Sequence, residues 1–124
     1  MKIVRINQLY DTDREVHGEG FVSFRALLQK DGMGFGLHKT VIPTGGPYHW
    51  HYQNHLEACY CIKGRGKLIN LATGVEHLIT TDVIYVLDQH DDHTFEALED
   101  TVLISIFNPP VTGKEIHDEN GNYI

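Results

Sequence analysis

The sequence lacks long apolar runs, and this absence excludes several classes of protein. No window in the 124 residues reaches the length of a membrane-spanning helix, and residues 1–20 mix acidic and basic side chains where a signal peptide would be apolar. Cysteine is also scarce. Cys59 and Cys61 lie two apart on one predicted strand, where same-face neighbours are too distant and too parallel for an ordinary disulfide. We therefore predict a protein of the reducing cytoplasm.

Basic residues are few as well. Ten Lys and Arg against 17 Asp and Glu give a formal net charge of −7, whereas nucleic acids and anionic membranes bind clustered basic side chains. We predict no nucleic-acid partner and no membrane partner. With four prolines, no repeats and no biased tracts, the composition favours a single domain over residues 1–124.

Short runs rich in β-branched and aromatic residues recur between glycine and proline turn signals, and helical periodicity is absent. The predicted strands are 2–8, 21–29, 34–42, 55–63, 67–71, 83–87, 93–98 and 101–107. The predicted turns are 30–32, 43–47, 63–66, 72–74 and 108–110. So many strands in a short chain predict an all-β fold, a small barrel or double-sheet jelly roll with room for one ligand. The polar tail 111–124 is predicted to fold over its mouth as a lid.

Side chains of equal parity in a strand face the same way, which defines polar stripes. One stripe is formed by His55, Glu57, Cys59 and Cys61. A second stripe contains Arg25 and every second residue of its strand. An inward carboxylate would have to meet a cation or a metal, because a buried unpaired charge is costly. An inward Arg25 would offer a two-pronged donor for a substrate carboxylate.

Several of these residues also fit ordinary structural roles. Tyr85 in an apolar strand is typical of a core aromatic whose hydroxyl finds a backbone partner. The patterns at His49, His77 and His90 indicate structural or exposed residues. His51 shares a face with His49 and His55 if that strand runs unbroken, so it stays a candidate ligand.

Two segments resemble the metal-binding motifs of cupins, in which histidines and a glutamate on neighbouring strands hold a metal. Glu57, separated by six residues from Gly64, matches the end of the first motif, and His93 matches the metal histidine of the second. His51 and Gln53 stand where the first motif usually has two histidines, so one usual ligand is replaced.

A fuller resemblance is to ectoine synthases. The blocks 12–17 (TDREVH), 54–60 (NHLEACY), 87–93 (LDQHDDH) and 107–118 (FNPPVTGKEIHD) are similar to theirs and span nearly the whole chain. The last two are specific, because neither composition nor strand chemistry requires such strings. The resemblance implies a cupin hydro-lyase that cyclises N4-acetyl-L-2,4-diaminobutyrate, with loss of water, to ectoine. Ectoine is a compatible solute that protects cells under osmotic stress.

The same resemblance implies a set of site residues. The metal would be iron, as Fe2+, held by Glu57, Tyr85 and His93, although zinc and manganese suit these ligand types too. The implied substrate-binding residues are Phe21, Arg25, Thr40, Tyr52, His55, Phe107, Glu115 and His117. The proton acceptor would be Tyr52 or the pair of Glu115 and His117. We also expect a homodimer, as in the family.

Two positions depart from the family pattern. Phe21 stands where many ectoine synthases have tryptophan, which keeps an aromatic wall without an indole donor. Lys114 stands where arginine is common, which is conservative only if no bidentate contact is made there. Two other functions therefore stay open: a related cupin enzyme that acts on another amide or opens the ring, and a non-catalytic cupin that binds a small solute.

Overall fold

The computed structural model describes residues 1–123 and contains ten strands in two antiparallel sheets. The strands are β1 Glu15–Gly18, β2 Phe21–Leu27, β3 Gly36–Ile42, β4 Gly45–Trp50, β5 Leu56–Lys63, β6 Arg65–Asn70, β7 Glu76–Thr80, β8 Ile84–Leu87, β9 His93–Ala97 and β10 Thr101–Asn108. One sheet has the order β1-β2-β3-β10-β5-β8, and the other has the order β4-β9-β6-β7. The predicted all-β, double-sheet fold is confirmed.

Short 3-10 turns at Ile6–Gln8 and Gln29–Asp31 are the helical elements of residues 1–123. Neither approaches the length or the apolar character that a helix needs to cross a membrane.

Alternation of buried and more exposed side chains along the strands places the core between the two sheets. In β2, Phe21, Ser23 and Arg25 are buried, and in β5 the buried residues include Glu57 and Cys59. The predicted polar stripes therefore point inward. Both cysteines are free, as expected.

The predicted strand over residues 2–8 is wrong. This segment contains no strand and is largely exposed, because β1 already pairs with β2 at that edge of the sheet. The ε-amino group of Lys2 lies 2.8 Å from Asp31 Oδ1, so the segment runs along the surface. β1 and β7, which are short and polar, were not predicted, and neither was β4.

The predicted turn over 43–47 is wrong in its second half, because β4 begins at Gly45 and includes Pro47. β4 is an edge strand, where a missing backbone N–H costs no ladder hydrogen bond. β4 ends at Trp50, and residues 51–55 form no strand. The unbroken strand that would place His51 on one face with His49 and His55 is therefore absent.

The tail from Val111 to Tyr123 folds over one end of the barrel. Both of these residues are buried, and His117 and Tyr123 pair in an isolated β-bridge. The backbone N–H of His51 donates to the carbonyl oxygen of Gly121 at 2.7 Å. The predicted lid is present and hydrogen-bonded to the barrel.

The turn between β5 and β6 requires glycine at position 64. Gly64 has a φ of +97°, and a Cβ there would lie 2.4 Å from the carbonyl oxygen of Asp100. Gly74 has a similar φ of +74° but open space around it. We expect Gly64→Ala to lower the free energy of unfolding by about 3 kcal/mol or more, and Gly74→Ala by about 1 kcal/mol. Urea denaturation measures both, and equal losses would show that no backbone clash occurs.

Candidate active site

The sheets and the tail enclose a cavity of about 20 Å³. Its lining includes four predicted substrate-binding residues, Phe21, Thr40, Tyr52 and His117, and two predicted metal ligands, Glu57 and Tyr85. This volume holds about one water molecule. A substrate of amino-acid size therefore requires the tail to move outward before it can bind.

Glu57 and Tyr85 face the cavity from neighbouring strands. Cys59 pairs with Tyr85 in the ladder between β5 and β8, and Glu57 pairs with Leu87 two residues along. Burial raises the pKa of Glu57 to about 7, and hydrogen bonds with Cys59 and Ser105 offset only part of that effect. Within residues 1–123 Glu57 forms no ion pair, so a cation would satisfy its buried carboxylate.

His93 extends from β9 in the opposite sheet and is 1% exposed. Its Nδ1 lies 2.9 Å from the carbonyl oxygen of Asp91, which can only accept, so Nδ1 carries the proton. Nε2 is buried without a hydrogen-bond partner. A neutral imidazole whose second nitrogen is fixed by a carbonyl is the state in which histidine binds metals.

No group of three or more His, Cys, Asp or Glu side chains within residues 1–123 is placed to hold a metal. The predicted set contains two such residues and a tyrosine.

A second cleft of about 530 Å³ opens between β7 and β8, the facing edges of the two sheets, and is lined in part by Tyr85 and His93. Tyr85 and His93 can therefore be reached from a side that the tail does not cover.

Arg25 is fully buried and is bound to the tail. Its terminal nitrogens donate to the carbonyl oxygens of Gly113 at 2.9 Å and Glu115 at 2.6 Å, and its Nε donates to Ser23 Oγ at 3.2 Å. Its guanidinium carbon lies 5.5 Å from the centre of the Tyr123 ring. A substrate carboxylate bound by Arg25, as predicted, would compete with these tail carbonyls.

The Tyr52 hydroxyl lies 2.7 Å from His117 Nε2. Burial, together with the nearby His93 and Arg25, lowers the pKa of His117 to about 3. Burial likewise raises the pKa of Tyr52 well above its ordinary value. Both groups are thus neutral near pH 7 and share one hydrogen bond along which a proton can move.

The carboxylate of Glu115, a predicted proton acceptor together with His117, is hydrogen-bonded within the tail. It accepts hydrogen bonds from the backbone N–H and hydroxyl of Thr112, at 2.7 and 2.9 Å, and from the backbone N–H of Gly113 at 2.8 Å. Burial raises the pKa of Glu115, but these hydrogen bonds outweigh it and leave the pKa lowered. The side chain stabilises a turn of the tail, and its backbone carbonyl is the group that reaches Arg25.

His55 and Phe107 lie behind the cavity wall. The His55 Nδ1 donates to the carbonyl oxygen of Pro109 at 2.8 Å, and both rings pack against Tyr123. His51 lies outside the cavity lining, with its Nδ1 3.7 Å from Asp92 Oδ1. The structure gives no support for His51 as a fourth ligand.

The predicted site residues leave out five residues of the cavity wall, which are Ile42, Trp50, Leu103, Ser105 and Tyr123. Alternation along β10 predicts that Ser105 shares the face of Phe107, but it does not by itself assign Ser105 to the site. Trp50 lies at the end of a strand that was not predicted, and no local pattern indicates that Tyr123 folds back into the barrel. The buried His38 was missed as well; burial and the charge of Arg25 lower its pKa to about 3.

Comparison with known proteins identifies the relatives of this chain. A family model described as Ectoine synthase matches residues 1–124. The L-ectoine synthase of Halalkalibacterium halodurans is 48% identical over 123 residues, which are 99% of this chain and 95% of that protein. That of Alkalilimnicola ehrlichii is 50% identical over 124 residues, with 99% and 94% covered. The crystal structure of ectoine synthase from P. lautus superimposes with a TM-score of 0.87 at 37% identity, over 91% of this chain and 81% of that one.

The hydrogen bonds of Arg25 to the tail can be tested by limited proteolysis. Arg25→Lys keeps the charge but cannot reach both tail carbonyls, and losing one charged hydrogen bond costs about 1.5–3 kcal/mol. We expect trypsin to cleave after Lys114 about 10- to 100-fold faster, because cleavage follows the population of the open tail. Arg65→Lys, at an exposed position of β6, is the matched control. An unchanged cleavage rate would show that Arg25 does not hold the tail.

Proposed function

The chain belongs to the ectoine synthase family, and we propose here how its own residues carry out the family's reaction. It is a hydro-lyase of cupin fold that closes N4-acetyl-L-2,4-diaminobutyrate into ectoine. The α-amine attacks the acetamide carbonyl carbon, a six-membered ring forms, and the carbonyl oxygen leaves as water. The family match over the whole chain carries this assignment.

We infer that Glu57, Tyr85 and His93 hold a metal and that the metal is iron. Two observations support this set: Glu57 is buried without a basic partner, and His93 has a fixed tautomer with an unpartnered Nε2. A carboxylate, a phenol oxygen and an imidazole suit Fe2+, and zinc or manganese suit the same donors. When bound, the metal supplies a Lewis acid for the acetamide carbonyl, which is otherwise a poor electrophile.

Other residues of the site would bind the substrate and confine it in the cavity. Arg25 would anchor the carboxylate through its two-pronged donor, in place of the tail carbonyls that it binds in the closed chain. Phe21 and Thr40 would form the wall against which the flexible chain folds into a near-attack conformer. The closed tail would keep bulk water away, which favours a reaction that releases water.

Tyr52 and His117 are the proposed proton relay. The α-ammonium must lose a proton before the nitrogen can attack; Tyr52 would take it while passing its own hydroxyl proton to His117 Nε2, 2.7 Å away. Both hydrogens of the released water come from the α-nitrogen, so the relay returns its proton to the leaving oxygen and ends unchanged. A neutral His117 suits this role, and Glu115, bonded within its turn, is not needed.

We further propose a cytoplasmic homodimer that makes the compatible solute under osmotic stress. The outer face of the six-stranded sheet supports the dimer, because it exposes several large apolar side chains. They are Tyr60, Ile62, Ile84, Val86 and Ile106, between 40% and 61% exposed. Strand pairing places them side by side, and a contiguous apolar face of this kind suits an interface between subunits.

The metal set is tested by metal content. Protein purified without chelator should contain about one iron per chain, measured by plasma mass spectrometry after gel filtration. Glu57→Ala and His93→Ala should each lose most of it, whereas His77→Ala, at an exposed position of β7, should keep it. If both ligand variants retain full metal, the set is wrong and His49, His51 and His55 become the next candidates.

The reaction is tested by proton NMR. Iron-loaded protein and N4-acetyl-L-2,4-diaminobutyrate should replace the acetyl methyl signal with that of a methyl on a cyclic amidine carbon, without a cosubstrate. Chelation should abolish turnover, because the amide carbonyl loses its activation. Phe21→Trp should preserve or improve turnover. No product at full iron content, together with tight binding of an unrelated solute, would support the non-catalytic alternative.

A further inference from the structure

Trp50 is the one tryptophan in the sequence, and the reaction scheme above does not use it. It ends β4 with its side chain buried at 6% exposure. Its ring stacks on that of His117, with ring centres 5.1 Å apart and planes 10° apart. Trp50 therefore contacts the imidazole that would receive the substrate proton.

The position of His117 depends on side-chain packing. His117 lies in the tail, where its backbone pairs only with Tyr123, itself a tail residue, in an isolated bridge. From the barrel, Trp50 supplies a parallel face and Phe21 a ring edge at 5.1 Å and 81°. An edge-on contact leaves the plane of a ring free to tilt about the line of contact. A parallel stack of two flat rings fixes that plane.

Trp50 is itself fixed by the barrel. Its backbone pairs with His93 of β9, and its ring is nearly parallel to those of Tyr48, at 5.7 Å and 10°, and Phe95, at 6.2 Å and 12°. The indole therefore keeps its place when the tail moves, and it offers the returning His117 one defined surface.

The same stack separates two spaces. Trp50 and His117 both line the inner cavity and also an outer pocket of about 250 Å³ that includes Glu19 and Asp118. The two rings thus form the partition between the reaction cavity and the outside of the barrel.

We propose that Trp50 is a positioning residue: its indole face sets the plane of His117 as the tail closes, so that Nε2 meets the Tyr52 hydroxyl and the cavity is sealed. This inference rests on the proposed proton relay of Tyr52 and His117. Trp50 acts through His117 and takes no proton itself.

A double-mutant cycle tests the dependence on His117. Trp50→Leu should lower kcat about 2- to 10-fold, the effect expected of one aromatic stack, with a smaller change in KM. In a His117→Ala background the same substitution should cause no further fall in kcat. Trp50→Phe, which keeps a flat face, should retain most of the activity. If the two losses multiply, Trp50 does not act through His117 and the proposal is wrong.

A second measurement does not require turnover. The His117 ring stacks on the indole with ring centres 5.1 Å apart, so Trp50→Leu should shift the NMR resonances of the His117 ring protons downfield. Tyr48→Leu should leave them in place, because the ring contact of Tyr48 is with Trp50. Unchanged His117 resonances in Trp50→Leu would overturn the proposal even in an inactive protein. Full activity of His117→Ala alone would instead refute the proton relay and leave the positioning measured by NMR intact.

Discussion

The buried guanidinium of Arg25 is the contact on which the closed form of this molecule depends. Within residues 1–123 no carboxylate pairs with it, and its charge is met by Ser23 and the carbonyls of Gly113 and Glu115. A buried charge without such partners would be very costly. The tail must therefore lie across the barrel mouth, which brings His117 to Tyr52. Substrate binding and tail position are linked because both depend on the same guanidinium donors.

The interior of the barrel carries polar groups that a core built only for stability would exclude. His38 and His93 each leave a ring nitrogen without a partner, and burial raises the pKa of Glu57 to about 7. Buried polar groups of this kind, which lower stability, are expected at functional sites. They are spread over both sheets, so only packing the two sheets against each other brings them into one interior.

The aromatic part of the cavity wall combines a phenylalanine from β2 with a tryptophan from β4. Phe21, which stands where many ectoine synthases carry tryptophan, meets Trp50 edge-on with ring centres 6.1 Å apart, and both rings line the cavity. An indole is therefore still part of the wall, although it comes from β4 and not from β2.

The sequence by itself determined which side chains share a face of each strand and which family the chain resembles. Alternation is a local property of an extended backbone, so parity predicts that Arg25 shares a face with Ser23 and Glu57 with Cys59. Only the folded structure shows that both faces point inward. Only the tertiary structure decided that Pro47 lies inside an edge strand, that residues 2–8 form no strand, and that Glu115 bonds within its own turn while Trp50 stacks on His117. Each of these outcomes depends on contacts between segments distant in sequence. Spacing along the chain cannot determine them, because they are fixed by which strand edge is free and where the tail folds back.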